Sequence, residues 1–426
     1  MTAVLPATLV GTHLQLEGDA LQVGGQCLAL RPGQRIKVFG CGKAAITMAR
    51  AVEQTLGDRI ADGLVICSYL DPEPLQRINV LLGSHPVPTE ASVEASAALW
   101  QAMSALGEEE VFLFLLSGGT SALLEKPLPP LTLAELQATT RALLGKNVPI
   151  HLVNTVRKHL SQVKGGRLGA AIKAQGAVLV VSDVIGDDLA TIGSAPLYCD
   201  NTSFGDARRA LAEHGLWAEI PANARLIIDE GCDDRRPDTP KVPNPRISHH
   251  LIGSNSHALE AARQEAEALG MPAHIMTCRL QGEARDVARV LITLAKEIQE
   301  SGTPFAPPVT LLFGGETTVT VTGKGRGGRN QELALAALQE IGATSGVLLL
   351  AAGTDGIDGN SEAAGAVAYS SILTHAKALG LDAPAFLANN DSHAFFEQTG
   401  GLVVTGPTGT NVMDIIVLTI SPKEAA

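Results

Sequence analysis

Gly323-Lys324-Gly325-Arg326-Gly327-Gly328-Arg329 puts four glycines and three cations into one short run, followed by Asn330 and by strong helix formers from Gln331 to Ile341. Glycine lets backbone N–H groups come close to a ligand. A helix N-terminus favours negative charge through its unpaired N–H groups and its dipole. Arginine adds a planar fork that matches phosphate or carboxylate. The run therefore suits an oxyanion, with Arg326 and Arg329 as its candidate ligands. The structural alternative is a mobile surface hairpin whose charges are solvated.

Other loops repeat this chemistry. Gly40-Cys41-Gly42-Lys43-Ala44-Ala45 follows an apolar run and opens a helical one. Lys43 there suits a phosphoryl or carboxylate group. The same residues fit GxGxxA, with Asp58 and Asp62 near the spacing of a ribose-binding acid, so a dinucleotide turn stays open. Ser117-Gly118-Gly119-Thr120-Ser121 offers glycines and hydroxyls at a second helix start, without the spacing of a P-loop. Ser182-Asp183-Val184-Ile185-Gly186-Asp187-Asp188 ends a strand with three carboxylates. Asp183, Asp187 and Asp188 suit Mg²⁺, which takes one or two carboxylates with water and substrate phosphates; helix capping by Asp187 or Asp188 is the structural alternative. The acidic loop Gly353 to Asn360 contains Asp355 and is too short for an EF-hand. Arg157, Ser161 and Lys164 share one helical face, which ordinarily means solvated charge. His85, His159 and His393 are isolated in spacing.

The elements that must carry these loops follow one rhythm: apolar strand, glycine- or acid-rich loop, helix. Strands are expected at Arg35–Phe39, Gly63–Ser68, Ile78–Leu82, Val111–Leu116 and Ala177–Val181. In the second half they fall at His249–Ile252, Val309–Phe313, Val347–Ala352, Leu402–Val404 and Ile415–Ile420. Val309–Phe313 leads into Gly314, Gly315 and Glu316, after which Thr317–Thr322 alternates like a further strand. Thr89 is placed to cap a helix running to Leu106. Short apolar strands alternating with helices imply an α/β fold with mostly parallel sheets. In such sheets ligands bind outside the carboxyl ends of the strands, where these loops lie. Asp229–Ser248, with four prolines and no periodicity, reads as a linker or surface loop.

Composition narrows the function further. The chain has 426 residues, enough for two domains, and is 45% hydrophobic with 18% charged residues. A net charge of −12 argues against nucleic-acid and membrane-surface binding, and requires cations to be concentrated locally for any anionic substrate. Aromatic residues make up only 3%, too few for base-stacking platforms. Six scattered cysteines, none in zinc-ligand spacing, read as reduced thiols of a cytoplasmic protein. No signal peptide or long apolar span is visible.

Taken in order, these segments resemble the class II glycerate 2-kinase family, built from DUF4147 and MOFRL domains. The resemblance spans nearly the whole chain: GCGKAA at 40–45, GSHPVPTEAS at 83–92, LLSGGTSALL at 115–124, NTVRKHLSQVKGGRL at 154–168, SDVIGDDLATIGSAP at 182–196, IGSNSHALEAA at 252–262, GEARDVA at 282–288, FGGETTVTVTGKGRGGRNQELAL at 313–335, AAGTDGIDG at 351–359 and TGPTGTNVMD at 405–414. It implies a Rossmann-like N-terminal domain over residues 1–240, a MOFRL-type domain over 241–426, and an active site in the cleft between them. It implies ATP- and Mg²⁺-dependent phosphorylation of D-glycerate at its 2-hydroxyl. Lys43 and Arg329 match the family's proposed catalytic cations, with Arg326 in the same loop. Gly42, Ser117, Gly118, Gly119, Ser121, Arg157, Asn255, Gly315, Glu316, Asn330 and Asp355 are the candidate substrate and nucleotide contacts, and Glu316 and Asp355 the candidate proton acceptors. Ser194-Ala195-Pro196-Leu197 stands where a Gly-Pro step and a threonine are expected. Some family members are labelled hydroxypyruvate reductases, so an NAD(P)H-dependent reductase is the second reading; a non-catalytic anion-binding protein is the third. A homodimer is the candidate assembly.

Overall fold

The structure, a computed structural model, describes residues 2–423. Its contacts divide the chain into two compact units: Pro6–Ile252, and Gly253 onward together with the N-terminal residues through Leu5. The sequence boundary was drawn at residue 240. The segment after it stays with the first unit because Ile247–Gly253 forms a strand of that unit's sheet.

The first unit opens with the Pro6–His13 helix, and an antiparallel meander absent from the expected strands follows it: β1 (Leu14–Glu17), β2 (Ala20–Val23) and β3 (Gln26–Ala29). Its main sheet contains β4 (Ile36–Cys41), β5 (Ile60–Cys67), β6 (Ile78–Leu82), β7 (Val111–Leu116), β8 (Gln175–Val181) and β9 (Ile247–Gly253). They lie in the order β6-β5-β4-β7-β8-β9. That is the doubly wound Rossmann order, with the direction of winding reversing between β4 and β7. The pairs β5–β6, β4–β5, β4–β7 and β7–β8 are parallel. Every residue of β7 is buried, as its unbroken apolar sequence requires of a strand covered on both faces. Phe39, Phe112, Phe114, Leu99 and Val178 belong to the core around it. The Glu90–Ser104 helix starts at the capping box of Thr89 and Ser92.

The second unit holds β10 (Ala273–Leu280), β11 (Val309–Gly315), β12 (Val347–Gly353), β13 (Gly365–Tyr369), β14 (Leu402–Val403) and β15 (Asp414–Ile420), in the order β10-β11-β15-β12-β13-β14. Only β10–β11 is parallel; β15 runs antiparallel between β11 and β12, and β13 is antiparallel to both its neighbours. The expectation of mostly parallel sheets therefore describes the first unit. In the second, β15 alternates buried and half-exposed positions. Its half-exposed positions are Ile415, Val417 and Thr419, and the first two pack on Leu259, Ala273 and Leu312, so only Thr419 gave a polar alternation. The Arg329–Ile341 helix is buried almost all round, from Asn330 through Leu338. It packs against β12, β13 and the Ala284–Ser301 helix.

Two further expectations change. Thr317–Thr322 is no strand: its one bridge joins Thr318 to Glu283, and the Thr320 N–H bonds the Glu283 carboxylate at 2.8 Å. Asp229–Ser248 is no linker. Its first residues end the Ala222–Cys232 helix, and Thr239 is buried, with its hydroxyl 3.1 Å from Asp200.

Candidate functional site

In the first unit, parallel pairing sets Cys41 beside Leu116, so the turns leaving β4 and β7 lie side by side. They are stitched together. The Lys43 N–H donates to the Gly118 carbonyl at 2.8 Å, and the Ala44 N–H to Ser117 Oγ at 3.1 Å. The Thr120 hydroxyl bonds the Cys41 and Ser117 carbonyls at 2.8 Å each. Gly42 and Ser117 thus shape the turn that presents Lys43. The half-buried Lys43 ammonium has no hydrogen bond or ion pair among the described residues. At Gly119 (φ +84°) a Cβ would lie 3.0 Å from Lys43 Cγ and 3.3 Å from His85 Cδ2. At Gly118 a Cβ would run into the Asp183 carboxylate. Lys43, His85, the Gly118-Gly119 turn and Asp183 are therefore immediate neighbours. His85 was passed over as an isolated histidine. Burial and the Lys43 charge lower its pKa, which keeps the imidazole neutral.

The candidate metal carboxylates diverge in role. Asp188 accepts the Ala190 N–H and the Thr191 hydroxyl at 3.0 and 2.9 Å, which holds the turn ahead of Ile192; it caps no helix, since Thr191 is the residue before the short Ile192–Ser194 turn of helix. Asp187 Oδ1 is buried without a hydrogen-bond partner, and Asp187 sits at φ +56°. Among the described residues no three His, Cys, Asp or Glu side chains converge as a metal site, so the three carboxylates are not brought together.

Ser121 and Arg157 serve the same loop from behind. Ser121 Oγ bonds Ser194 Oγ at 2.7 Å, which ties in the segment that departs from the family pattern. Arg157 Nη2 donates to the Ser121 carbonyl at 2.5 Å. Arg157 and Lys164 are not a solvated face. The helix ends at His159, and both cations turn inward to the fully buried Glu125, at 3.9 and 2.8 Å. Burial outweighs the attraction of Glu125 and brings the Lys164 pKa down to about 8. Burial likewise pushes the Cys41 thiol up to about 12.

The glycine-rich loop of the second unit has its backbone N–H groups from Thr322 to Gly327 bonded to protein. The Thr322 and Gly323 N–H groups bond Asn390 Oδ1 at 2.9 and 2.8 Å, and the Lys324 N–H bonds Asn389 Oδ1 at 3.1 Å. The Gly325 N–H goes to the Asn389 carbonyl, the Arg326 N–H to Asp391 Oδ1 and the Gly327 N–H to Asn360 Oδ1. Glycine is needed at 323 and 325 because the backbone there presses on Asn389 and Asp391. The helix N-terminus that favoured an external anion already has one. Asp358, 1% exposed, accepts the Asn330 and Gln331 N–H groups at 3.1 and 2.9 Å and both side-chain amides. Arg326, half-exposed, pairs with Glu362.

Arg329 is placed differently. Gly315, Asp414 and Gly353 stand in one row across β11, β15 and β12. Arg329 meets Asp414 there in a bidentate pair, Nε to Oδ2 at 2.5 Å and Nη2 to Oδ1 at 2.9 Å, and its Nη1 lies 2.9 Å from Glu316 Oε1. Burial opposes the Arg329 charge, but Asp414 and Glu316 more than offset it and its pKa is raised. Asp355 is close by: a Cβ at Gly353 would lie 3.2 Å from its Oδ1 and 3.5 Å from Asp414 Oδ1. Asn255 spends both amide hydrogens on the Val412 and Asp414 carbonyls, at 2.9 Å each, so it holds the Asp414 segment. Asp414 and Asp358 were not anticipated; each lies far in sequence from the group it binds.

The dinucleotide reading loses its acid. Asp62 pairs with Lys37, at the amino end of β5 and away from the Gly42 turn, and Asp58 pairs with Arg77.

Comparison with known proteins agrees. Residues 1–229 match a domain of unknown function, DUF4147, and residues 309–414 match the MOFRL family. The glycerate 2-kinase of Pyrococcus horikoshii is 41% identical over 98% of this chain and 94% of its own. A relative from Agrobacterium vitis, 39% identical over 92% of this chain and 88% of its own, has only a provisional hydroxypyruvate reductase name. The crystal structure of glycerate kinase from Thermotoga maritima superposes with a TM-score of 0.87 at 38% identity, covering 98% of this chain and 96% of that one. Two matched domains, near-complete coverage and the shared fold lead to one conclusion: the chain belongs to the DUF4147–MOFRL family of glycerate 2-kinases.

Proposed function

We propose that this chain transfers the γ-phosphoryl group of ATP to the 2-hydroxyl of D-glycerate, giving 2-phosphoglycerate and ADP. The observation that carries the reading is the Lys43 ammonium: half-buried, unpaired among the described residues, and set against a glycine turn. An unpaired cation in such a place favours the anionic oxygens of a transferring phosphoryl group or of the glycerate carboxylate. Gly42, Ser117, Gly118, Gly119 and Ser121 form the turn that presents it. Arg157 and Ser121 brace that turn. In the second unit Arg329 is the candidate cation for an oxyanion, while Asn255, Gly315 and Asn330 position its surroundings; Arg326 and Asp355 are further candidate contacts.

The residues of the β8 loop fit Mg²⁺. Asp187 has a buried oxygen lacking a partner, and Asp183 faces the Gly118 turn. These two would hold the ion and Asp188 would not. Bound with ATP, Mg²⁺ supplies charge neutralisation at the phosphate oxygens.

The test couples purified protein, ATP, Mg²⁺ and D-glycerate to enolase and pyruvate kinase without phosphoglycerate mutase. D-glycerate-dependent flux is expected, because enolase accepts 2-phosphoglycerate and not the 3-isomer. Formation of ADP without flux would move the phosphoryl group to the other hydroxyl. No ADP, with NADH or NADPH oxidised by hydroxypyruvate, would replace the kinase with the reductase.

A further inference from the structure

The short helix behind Lys43, Thr120–Leu123, is gripped at both ends. At its start the Thr120 hydroxyl bonds the Cys41 carbonyl, and the Gly118 carbonyl takes the Lys43 N–H. At its end stand the Ser121 and Leu124 carbonyls, which a helix this short leaves without partners of its own. Two cations from a later segment take them: Arg157 Nη2 donates to Ser121 and Lys164 Nζ to Leu124, at 2.5 Å each. The two share one counter-ion, Glu125, which follows Leu124 directly. Glu125 is fully buried and Lys164 nearly so. Glu125 Oε1 accepts the Lys126 N–H at 3.1 Å. Its Oε2 has no hydrogen bond and is neutralised by charge alone, with Lys164 Nζ at 2.8 Å and Arg157 Nη2 at 3.9 Å. A second tie closes the ring: the Gly165 N–H donates to the Ser194 carbonyl at 3.0 Å, and the Ser194 and Ser121 hydroxyls meet at 2.7 Å. A buried ion cluster is a poor source of stability beside apolar side chains of equal volume. What this one supplies is direction, a donor aimed at each of two carbonyls of the turn.

We propose that Glu125 and Lys164 are positioning residues for the Lys43 turn: with Arg157 they fix where Gly118 and Gly119 stand against Lys43, and the grip holds only while Lys164 is charged. The link to catalysis rests on the kinase reading of Lys43. Burial, opposed by Glu125 and helped by the repulsion of Arg157, brings Lys164 from 10.5 down to about 8. The titratable groups acting on it are Glu125, Arg157 and the Cys41 thiol. Arg157 keeps its charge throughout, and the Cys41 thiol, pushed up to about 12, stays neutral. As pH rises through 8, Lys164 therefore loses its proton while Glu125 keeps its charge. Glu125 Oε2 is then left with Arg157 alone, at 3.9 Å. A buried carboxylate short of charge moves toward water, and it draws Leu124 and the turn with it.

The test follows the methyl resonances of Ala44 and Thr120 in the full chain from pH 6.5 to 9.5, beside steady-state kinetics with ATP and D-glycerate. Both methyls lie on the Lys43 side of the turn, away from Lys164. In the wild type they should shift with a midpoint near pH 8, and kcat should fall over the same range. Glu125→Gln/Lys164→Met removes both charges at once and so strands neither. Its kcat at pH 7 should fall at least about tenfold, as a misplaced turn would cause, with the KM for D-glycerate changed less. Its methyls should not titrate near pH 8. Lys164→Arg keeps the charge and does not titrate here; it should retain most of the kcat at pH 7 and lose the fall above pH 8. A purely structural cluster would lower Tm in the double variant and leave kcat intact. That result would overturn the proposal, and so would wild-type methyls that stay fixed across pH 8. If the double variant fails to fold, Lys164→Arg decides: an unaltered fall in kcat above pH 8 would overturn the proposal equally. Wild-type protein that forms no ADP with D-glycerate would retire the kinase reading alone, since the methyl titration still reads whether the grip reaches the Lys43 turn.

Discussion

At the scale of the residue, the two cations that the sequence singled out have opposite surroundings. Lys43 is unpaired among the described residues, whereas Arg329 is bound on three nitrogens. Their variants should differ accordingly. Lys43→Ala is expected to cost about 10²–10³ in kcat/KM, the size of one electrostatic contact to the transition state, with the urea midpoint unchanged. Arg329→Ala should lose activity and also stability, by about 1–3 kcal/mol, because it strands the nearly buried Asp414 carboxylate. Equal urea midpoints for the two variants would contradict that distinction. Gly118→Ala tests the neighbouring contact. Its methyl would displace the Asp183 carboxylate, and kcat/KM should fall at least about tenfold, as small misplacements at a reacting centre do. Wild-type kinetics would show that Asp183 has no part in the reaction.

At the scale of the element, the Arg329–Ile341 helix illustrates how the fold uses an acid. Its first turn is capped by Asp358 from a separate loop, and burial raises the Asp358 pKa even though four donors converge on the carboxylate. Asp358→Ala should therefore destabilise the protein by about 2–4 kcal/mol, the combined scale of a lost cap and of buried donors left unpaired. Urea unfolding followed by circular dichroism measures this directly. A loss under about 0.5 kcal/mol, the range of ordinary surface substitutions, would mean that the cap is dispensable. The same helix shows what the sequence could convey. Leu333, Leu335, Leu338 and Ile341 announced a helix with an apolar face, but burial of Gln331 and Glu332 was illegible. Gln331 is satisfied by Asp358 and Ser361, and Glu332 by Arg285 and Asn390, all distant in sequence.

At the scale of the whole molecule, acid stability should be set in part by a histidine outside the catalytic loops. His249 lies in β9 with its ring edge-on to Tyr198 at 5.1 Å, and its Nε2 is buried without a hydrogen-bond partner. Burial, then the charge of His250, pushes its pKa from 6.5 to about 4. The unfolded chain therefore binds more protons than the folded one between these values. Stability from this group is complete above pH 6.5 and is lost as pH falls toward 4, by about 3 kcal/mol. Urea unfolding of wild type and His249→Gln across pH 7 to 4 reads the difference. Parallel pH profiles would refute it. No helix among the described residues is long and apolar enough to cross a membrane.

What the sequence determined by itself was the α/β class, most of the strands, and the loops that end them. Continuous apolar runs such as Val111–Leu116 can only be buried strands here, and glycines and charges at their ends can only be turns. The family resemblance was legible for the same reason: its motifs are those turns. What only the tertiary structure decided was which polar groups remain available. The glycine loop at 323–329 looked like an anion cradle because its N–H groups had no local partners. Asn389, Asn390, Asp391, Asn360 and Asp358 supply those partners from elsewhere in the chain. Hydrogen bonds are settled by proximity in space, and sequence spacing contains no record of partners brought in from sixty residues away.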